Sequence, residues 1–155
     1  MNKLLKDFLS IPMPLEKLLI ARQSFSLKIA HMVEHRRVGL SRVDELPQGC
    51  GMLFLYGETQ IPGTDKKPFV SMCARMNLTV VFLKSSGEVV GIFVNLKGEG
   101  EKNFKTASRY YCKKPAEMML ELRGDLELGL YEGDSVDLRK VTDKYRGEIY
   151  TANRK

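Results

Sequence analysis

The sequence predicts a mainly β (β-rich α+β) protein: a single domain with an antiparallel, barrel-like sheet, short helices and an N-terminal helical arm. Short apolar runs recur at fairly even spacing, and turns rich in glycine or proline separate them. The chain has 155 residues, of which 43% are hydrophobic and 28% charged, a composition typical of one folded domain. We expect a helical arm over residues 1–22, a barrel-like β domain over residues 23–140 and a basic tail over residues 141–155.

The arm is predicted to contain two short helices. Apolar side chains recur at helical spacing on both sides of Pro12 and Pro14, and prolines so placed separate helices. The side chains that share a face are Leu4, Leu5, Phe8 and Leu9 in the first helix and Leu15, Leu18 and Leu19 in the second. We expect this arm to pack onto the domain.

The sheet is predicted to begin at residues 24–30, where apolar and polar side chains alternate with the period of a half-buried strand. A short helix from Met32 to Val38 should follow, because Gly39 is a natural stop. Further strands are expected within residues 52–56, 69–83, 118–122 and 136–138, with a hairpin turn at residues 85–87 and loops at residues 57–68 and 97–108. Alternation along the strands predicts that Met52, Phe54, Val80 and Phe82 are core residues.

The chain lacks the features that mark several protein classes. Its three cysteines, Cys50, Cys73 and Cys112, lie far apart and form no C-x-x-C pair, so we expect reduced thiols. No stretch of about 18 apolar residues occurs, and no nucleotide-binding fingerprint is present. We therefore expect a cytoplasmic protein with no cofactor and no membrane partner.

Three blocks of the sequence resemble the family known as domain of unknown function 192. Members show an Arg-x-x-Gly-Leu opening, a Leu-Pro strand ending in Gly-Met-Leu-Phe, and a Leu-Glu-Leu strand followed by a Gly-hydrophobic-x-x-Gly-Asp turn. The matching segments here are residues 36–40, 46–54 and 120–134, and the resemblance spans about residues 25 to 138. It implies a compact β-rich fold and no established activity.

The polar positions of that family are mostly replaced in this chain. Residues 69–73 stand in register with the family's Phe-Trp-Met-Lys-Asn segment, and residues 77–79 stand in register with its Pro-Leu-Asp. Of the polar positions only Arg36 and Asp134 remain, so the resemblance makes these two residues binding candidates. Whatever the polar segment does in other members does not carry over to this chain.

A short motif matches the H-x-x-E-H pattern of inverted zinc peptidases, through His31, Glu34 and His35. In that pattern two histidines one helical turn apart bind zinc, and the glutamate acts on the bound water. The predicted helix has only about two turns, and no third ligand is evident. We therefore predict no metal here and expect histidines that face solvent.

A second candidate site is the basic-aromatic loop, residues 97–114. Cations alternate there with aromatic side chains, as in proteins that neutralise phosphates and stack on single-stranded bases. The candidate binding residues are Lys105, Arg109, Tyr110 and Tyr111. The alternative is that the aromatic rings anchor the loop while the lysines stay in solvent. Residues 115–138 carry seven acids against one base, which disfavours a nucleic-acid surface.

The sequence thus predicts a non-catalytic binding or docking module for a protein or small-molecule partner that the sequence does not identify. Two alternatives stay open. The protein could bind single-stranded nucleic acid through the basic-aromatic loop, or it could be an enzyme whose cleft has no recognisable motif. A catalytic carboxylate pair is possible among Glu121, Asp125, Glu127, Glu132, Asp134 and Asp137, but the density of acids there favours a hydrated edge.

Overall fold

The computed structural model describes residues 2–41 and 43–153, with three helices and eight strands in that part of the chain. In chain order the elements are α1 Lys3–Leu9, β1 Leu15–Ile20, β2 Gln23–Ala30, α2 Val33–Val38, β3 Cys50–Gln60, β4 Phe69–Ser71, β5 Leu78–Leu83, β6 Val89–Leu96, β7 Arg109–Tyr111, β8 Ala116–Arg123 and α3 Arg139–Asn153. The prediction of a strand-rich fold with few short helices is confirmed.

The main sheet is open and mixed. Its six strands follow the order β1-β2-β3-β8-β5-β6, and β4 pairs with β7 in a separate antiparallel ribbon. Strands β2 and β3 run parallel, whereas the other neighbours in the main sheet are antiparallel. The predicted barrel is therefore wrong: β1 and β6 do not pair with each other, so the sheet stays open with these two strands as its edges.

The second predicted helix of the arm is a strand. Leu15, Leu18 and Leu19 have helical spacing, yet the buried side chains are Glu16, Leu18 and Ile20, which alternate as in a strand. This strand, β1, pairs with β2 across a tight turn in which Ala21 and Arg22 have φ of 49° and 66°. The predicted strand at residues 136–138 is also wrong, since only one isolated bridge joins Ser135 to Glu88.

Alternate side chains of the main sheet enter two separate cores. Met52, Phe54, Val80 and Phe82 are all buried on the first face, as predicted, together with Met119. The β4–β7 ribbon and α1 cover this first face, together with Leu40, Val43 and Leu46. The second face carries Leu53, Val81 and Leu120, and α3 covers it with Val141 and Tyr145. The segment predicted as a basic tail thus contains a packed helix.

A buried lysine attaches the N-terminal arm to the first face. The Lys28 ammonium group donates hydrogen bonds to the carbonyl oxygens of Leu9, Ile11 and Met13 at 3.0–3.1 Å. Burial lowers the pKa of this amine. The three bonds stabilise the turn that follows α1, where the carbonyls have no helical partner.

No described helix has both the length and the hydrophobicity that crossing a membrane requires.

Candidate ligand-binding cleft

A cleft of about 540 Å³ lies on the first face of the main sheet, between β3 and β8 on one side and α2 and the β4–β7 ribbon on the other. Most of its surface is apolar. The apolar side chains that line it include Val33, Leu40, Phe54, Phe69, Val70, Ala74, Phe104 and Met119. Cavities of this size and character are typical of small-molecule sites in proteins.

The pairing of β3 with β8 places the polar groups of the cleft. Met52 stands opposite Glu121, and Phe54 stands opposite Met119. Because side chains two residues apart share a face of a strand, Tyr56 extends the same row. Its hydroxyl donates to the Met119 sulfur at 3.8 Å. An acid, a phenol and two large apolar side chains therefore meet on this surface.

Helix α2 contributes a positive charge at the cleft. The Arg36 guanidinium donates to the carbonyl oxygen of Leu55 at 3.1 Å, and it lies 5.9 Å from the centre of the Tyr56 ring. These contacts fix the end of α2 against β3. Burial lowers the pKa of Arg36, although arginine stays protonated in proteins at neutral pH.

Glu121 is the buried acid of the cleft, with 6% of its surface exposed. No side chain or backbone group in the described residues donates a hydrogen bond to its carboxyl group or forms an ion pair with it. Burial raises the pKa of Glu121 to about 8, so the group is mostly protonated and neutral at pH 7. It is also close enough to Tyr56 to raise the pKa of the phenol, an effect second to burial. A neutral acid in this position offers an O–H donor to the cleft.

Aromatic side chains support the ribbon side of the cleft. The Phe69 ring lies 5.7 Å from both the Phe104 and the Tyr111 rings. The Arg109 guanidinium sits against Phe69 and Phe104, with its carbon 4.9 and 5.2 Å from the two ring centres. The basic-aromatic loop is therefore attached to the cleft wall through its own rings.

The other candidates in that loop are spread over its surface. Tyr110 is half-buried against Phe93, with ring centres 5.8 Å apart. Tyr111 is 46% exposed, and the Lys67 ammonium lies 5.6 Å from its ring centre. Lys105 is exposed. Of the loop residues, Phe104 lines the cleft, whereas Lys105, Arg109, Tyr110 and Tyr111 do not.

Asp134, the second candidate that the resemblance suggested, lies outside the cleft. Its carboxylate accepts a hydrogen bond from the Tyr131 amide at 2.9 Å, and its carbonyl oxygen accepts one from the Val89 amide at 2.8 Å. These bonds shape the turn that Gly129 and Gly133 allow through positive φ values of 65° and 93°. Asp134 thus holds a turn, whereas Arg36 lies in the cleft.

The histidines of the H-x-x-E-H motif do not both face solvent, so that prediction is wrong. His31 is buried under α3, with its ring centre 4.7 Å from Tyr145 and 4.9 Å from His35. Its burial follows from its position, because it extends the strand β2 on the face that α3 covers. Glu34 is exposed. The described part of the chain contains no cluster of three or more His, Cys, Asp or Glu side chains that could hold a metal ion.

Sequence reasoning missed the position of Glu121 and Tyr56 in the lining of the cleft. The prediction that Glu121 belongs to a hydrated edge is wrong, because β8 lies inside the sheet between β3 and β5. One signal was available: a single acid in the apolar run from Met118 to Leu122. In a strand of that kind a lone acid faces either water or a cleft.

The fold and the site define a class: an open, mostly antiparallel sheet protein with a largely apolar cleft and an unpaired buried acid. The chain belongs to the DUF192 family, described as "Uncharacterized ACR", whose model matches residues 17–138. This confirms the resemblance and extends it to include most of β1. No curated protein matches the chain significantly.

Two crystal structures share this fold. A candidate transcription regulator from Sinorhizobium meliloti has a TM-score of 0.62 and 23% identity, with 78% of this chain and 89% of that chain covered. A protein of unknown function from Novosphingobium aromaticivorans has a TM-score of 0.61 and 23% identity, with 80% and 83% covered. Likeness at this identity establishes the fold alone.

Proposed function

We propose that the protein is a non-catalytic binding module that holds a small organic molecule in the cleft on the first face of the sheet. The observation that carries the proposal is the position of Glu121, a residue with 6% of its surface exposed whose carboxyl group opens onto the cleft and receives no hydrogen bond from the described residues. A polar group of a bound molecule can form the hydrogen bond that the protein does not supply to this carboxyl group.

The surroundings of Glu121 support this proposal over the nucleic-acid alternative. The cleft is concave and lined mostly by apolar side chains, with a few polar groups that converge on it. Of the rings that would have to stack on bases, Tyr110 packs on Phe93, whereas Phe104 and Tyr111 contact Phe69 and stay 54% and 46% exposed. Lys102, another cation of the loop, lies 3.0 Å from the Glu99 carboxylate. We place this module in the cytoplasm, where its three free cysteines would remain reduced.

Cys73 provides a direct test because it lines the cleft and is partly exposed, whereas Cys50 and Cys112 are buried. The probe is anilinonaphthalene sulfonate, which fluoresces in apolar sites. We expect saturable binding at one site, and we expect Cys73→Trp to abolish it by filling the cleft. Cys73→Ser, which keeps the cleft open, is the matched control.

A bound probe should also slow the reaction of Cys73 with a maleimide, and Cys50 and Cys112 serve as internal references. Binding that Cys73→Trp leaves intact would refute the assignment of the site to this cleft. The absence of saturable binding to the folded protein would refute the binding function itself.

A further inference from the structure

We propose that the natural ligand of the cleft is a carboxylate amphiphile, with its carboxylate beside Glu121 and Arg36 and its hydrocarbon part along the apolar wall. This inference rests on the proposed function and names the chemical class of the ligand. Three observations carry it: the sign of the charge at the cleft, the need of Glu121 for an acceptor, and the apolar lining.

The charge around the cleft favours an anion. Of the described side chains that line it, Arg36 and Lys67 are cations and Glu121 is the acid. Burial has the largest effect on the pKa of Arg36 and lowers it, whereas Glu34 and Glu58, two exposed acids outside the lining, act in the opposite direction. Among the side chains that line the cleft, cations therefore outnumber acids, and Glu121 adds no negative charge when it is neutral.

Glu121 selects the chemistry of the ligand head group. With its pKa raised to about 8, the carboxyl group keeps its proton at neutral pH and must find an acceptor. A ligand carboxylate accepts a hydrogen bond from this O–H group, and such a charge-assisted O–H···O bond is short and strong. A hydroxyl oxygen accepts a weaker hydrogen bond, and an ammonium group accepts none because it only donates.

The remaining surface fits a hydrocarbon chain. Phe54, Val70, Ala74 and Met119 form an apolar wall, and Phe104 closes the ribbon side. Burial of hydrocarbon against such a wall contributes about 0.8 kcal/mol per CH₂ group. The site thus offers an anion-binding end and an apolar wall, as an amphiphile requires.

Three probes with the same ten-carbon tail separate the contribution of the head group to affinity from that of the tail. They are decanoate, decanol and decylamine, each titrated calorimetrically below its critical micelle concentration. We expect decanoate to bind about tenfold or more tighter than decanol, and decylamine to bind most weakly. Equal binding of all three would refute the carboxylate proposal and leave the binding function intact. Preference for decylamine would also refute it, because Glu121 would then act as an ionised partner.

Variants of Glu121 test the role of its proton. Glu121→Leu should keep decanol binding but lose the preference for decanoate, and Glu121→Gln should restore it in part, because the amide can donate a hydrogen bond. Glu132→Leu, which alters an exposed acid of a turn outside the cleft, is the control. A decanoate preference that survives in Glu121→Leu would contradict the proposal.

A pH series on the chain with Glu121 intact makes the test independent of folding defects. The titratable side chains that line the cleft with Glu121 are Arg36 from α2, Tyr56 from β3, and Lys67 and Cys73 from the segments beside β4. In a Cys73→Ser background, which removes the thiol, the preference for decanoate over decanol should fall as the pH rises through about 8. A constant preference from pH 6.5 to pH 9.5 would contradict the assignment of the donor to Glu121.

Discussion

The Tyr145 hydroxyl donates a 2.7 Å hydrogen bond to the carboxylate of Glu16, and so ties the C-terminal helix α3 to the edge strand β1. The Lys144 ammonium lies 2.7 Å from the same oxygen. Hydrogen bonds from Lys144 and then Tyr145 lower the pKa of Glu16, which is 7% exposed. A buried acid on β1 thus finds its partners 128 and 129 residues later in the chain.

Tyr145→Phe should lower the free energy of unfolding by about 1–3 kcal/mol, because it leaves a buried carboxylate without one of its donors. Urea denaturation at neutral pH measures the loss. Tyr131→Phe is the control, since the Tyr131 side chain is 72% exposed. Equal losses in the two variants would show that the Tyr145 hydroxyl does not hold α3 in place.

Lys28→Met should destabilise the attachment of the N-terminal arm by about 1–3 kcal/mol, because the carbonyl oxygens of Leu9, Ile11 and Met13 each lose the hydrogen bond from the ammonium group. The exposed Lys17 of β1 provides the matched control Lys17→Met. Amide hydrogen exchange should become faster in α1 in the first variant and remain unchanged in the second. Unchanged exchange in both variants would contradict the role of Lys28.

Glu121 should make stability depend on pH in a direction opposite to that of most acids. Its pKa is about 8 in the folded chain and near 4.5 when unfolded, so folding takes up a proton between these values. Stability should fall as the pH rises from about 4.5 to 8, by up to about 1.4 kcal/mol per pH unit.

Glu121→Gln, which cannot ionise, should remove this slope. The measurement is the difference in free energy of unfolding between the variant and the parent chain at several pH values from 5 to 8. We expect the difference to grow with pH in favour of the variant. A difference that stays constant would mean that Glu121 has an ordinary pKa and faces water.

The sequence predicts the strands well where the local pattern is decisive. Met52 and Phe54 were correctly assigned to the core because alternation along one strand is a local property. Prediction from the sequence fails where an element depends on residues that are distant in the chain. The six residues of β1 contain leucines at helical spacing, and the strand is stabilised by pairing with β2 and by Glu16 contacts with α3.

The candidate site shows the same division. Arg36 was singled out through the family resemblance, and the structure places it in the cleft. Glu121 was misplaced because its burial depends on β8 lying between β3 and β5, which no local pattern encodes. The predicted barrel is wrong for the same reason, since strand patterns do not determine whether the two edges of a sheet meet.

The most direct test of the cleft as a binding site compares two adjacent methionines. Met118 and Met119 are 3% and 5% exposed, but Met119 faces the cleft whereas Met118 enters the core under α3. Titration of methyl-labelled protein with anilinonaphthalene sulfonate should shift the Met119 methyl resonance saturably and leave that of Met118 unchanged. An unchanged Met119 resonance, or equal shifts of both, would contradict ligand binding in the cleft.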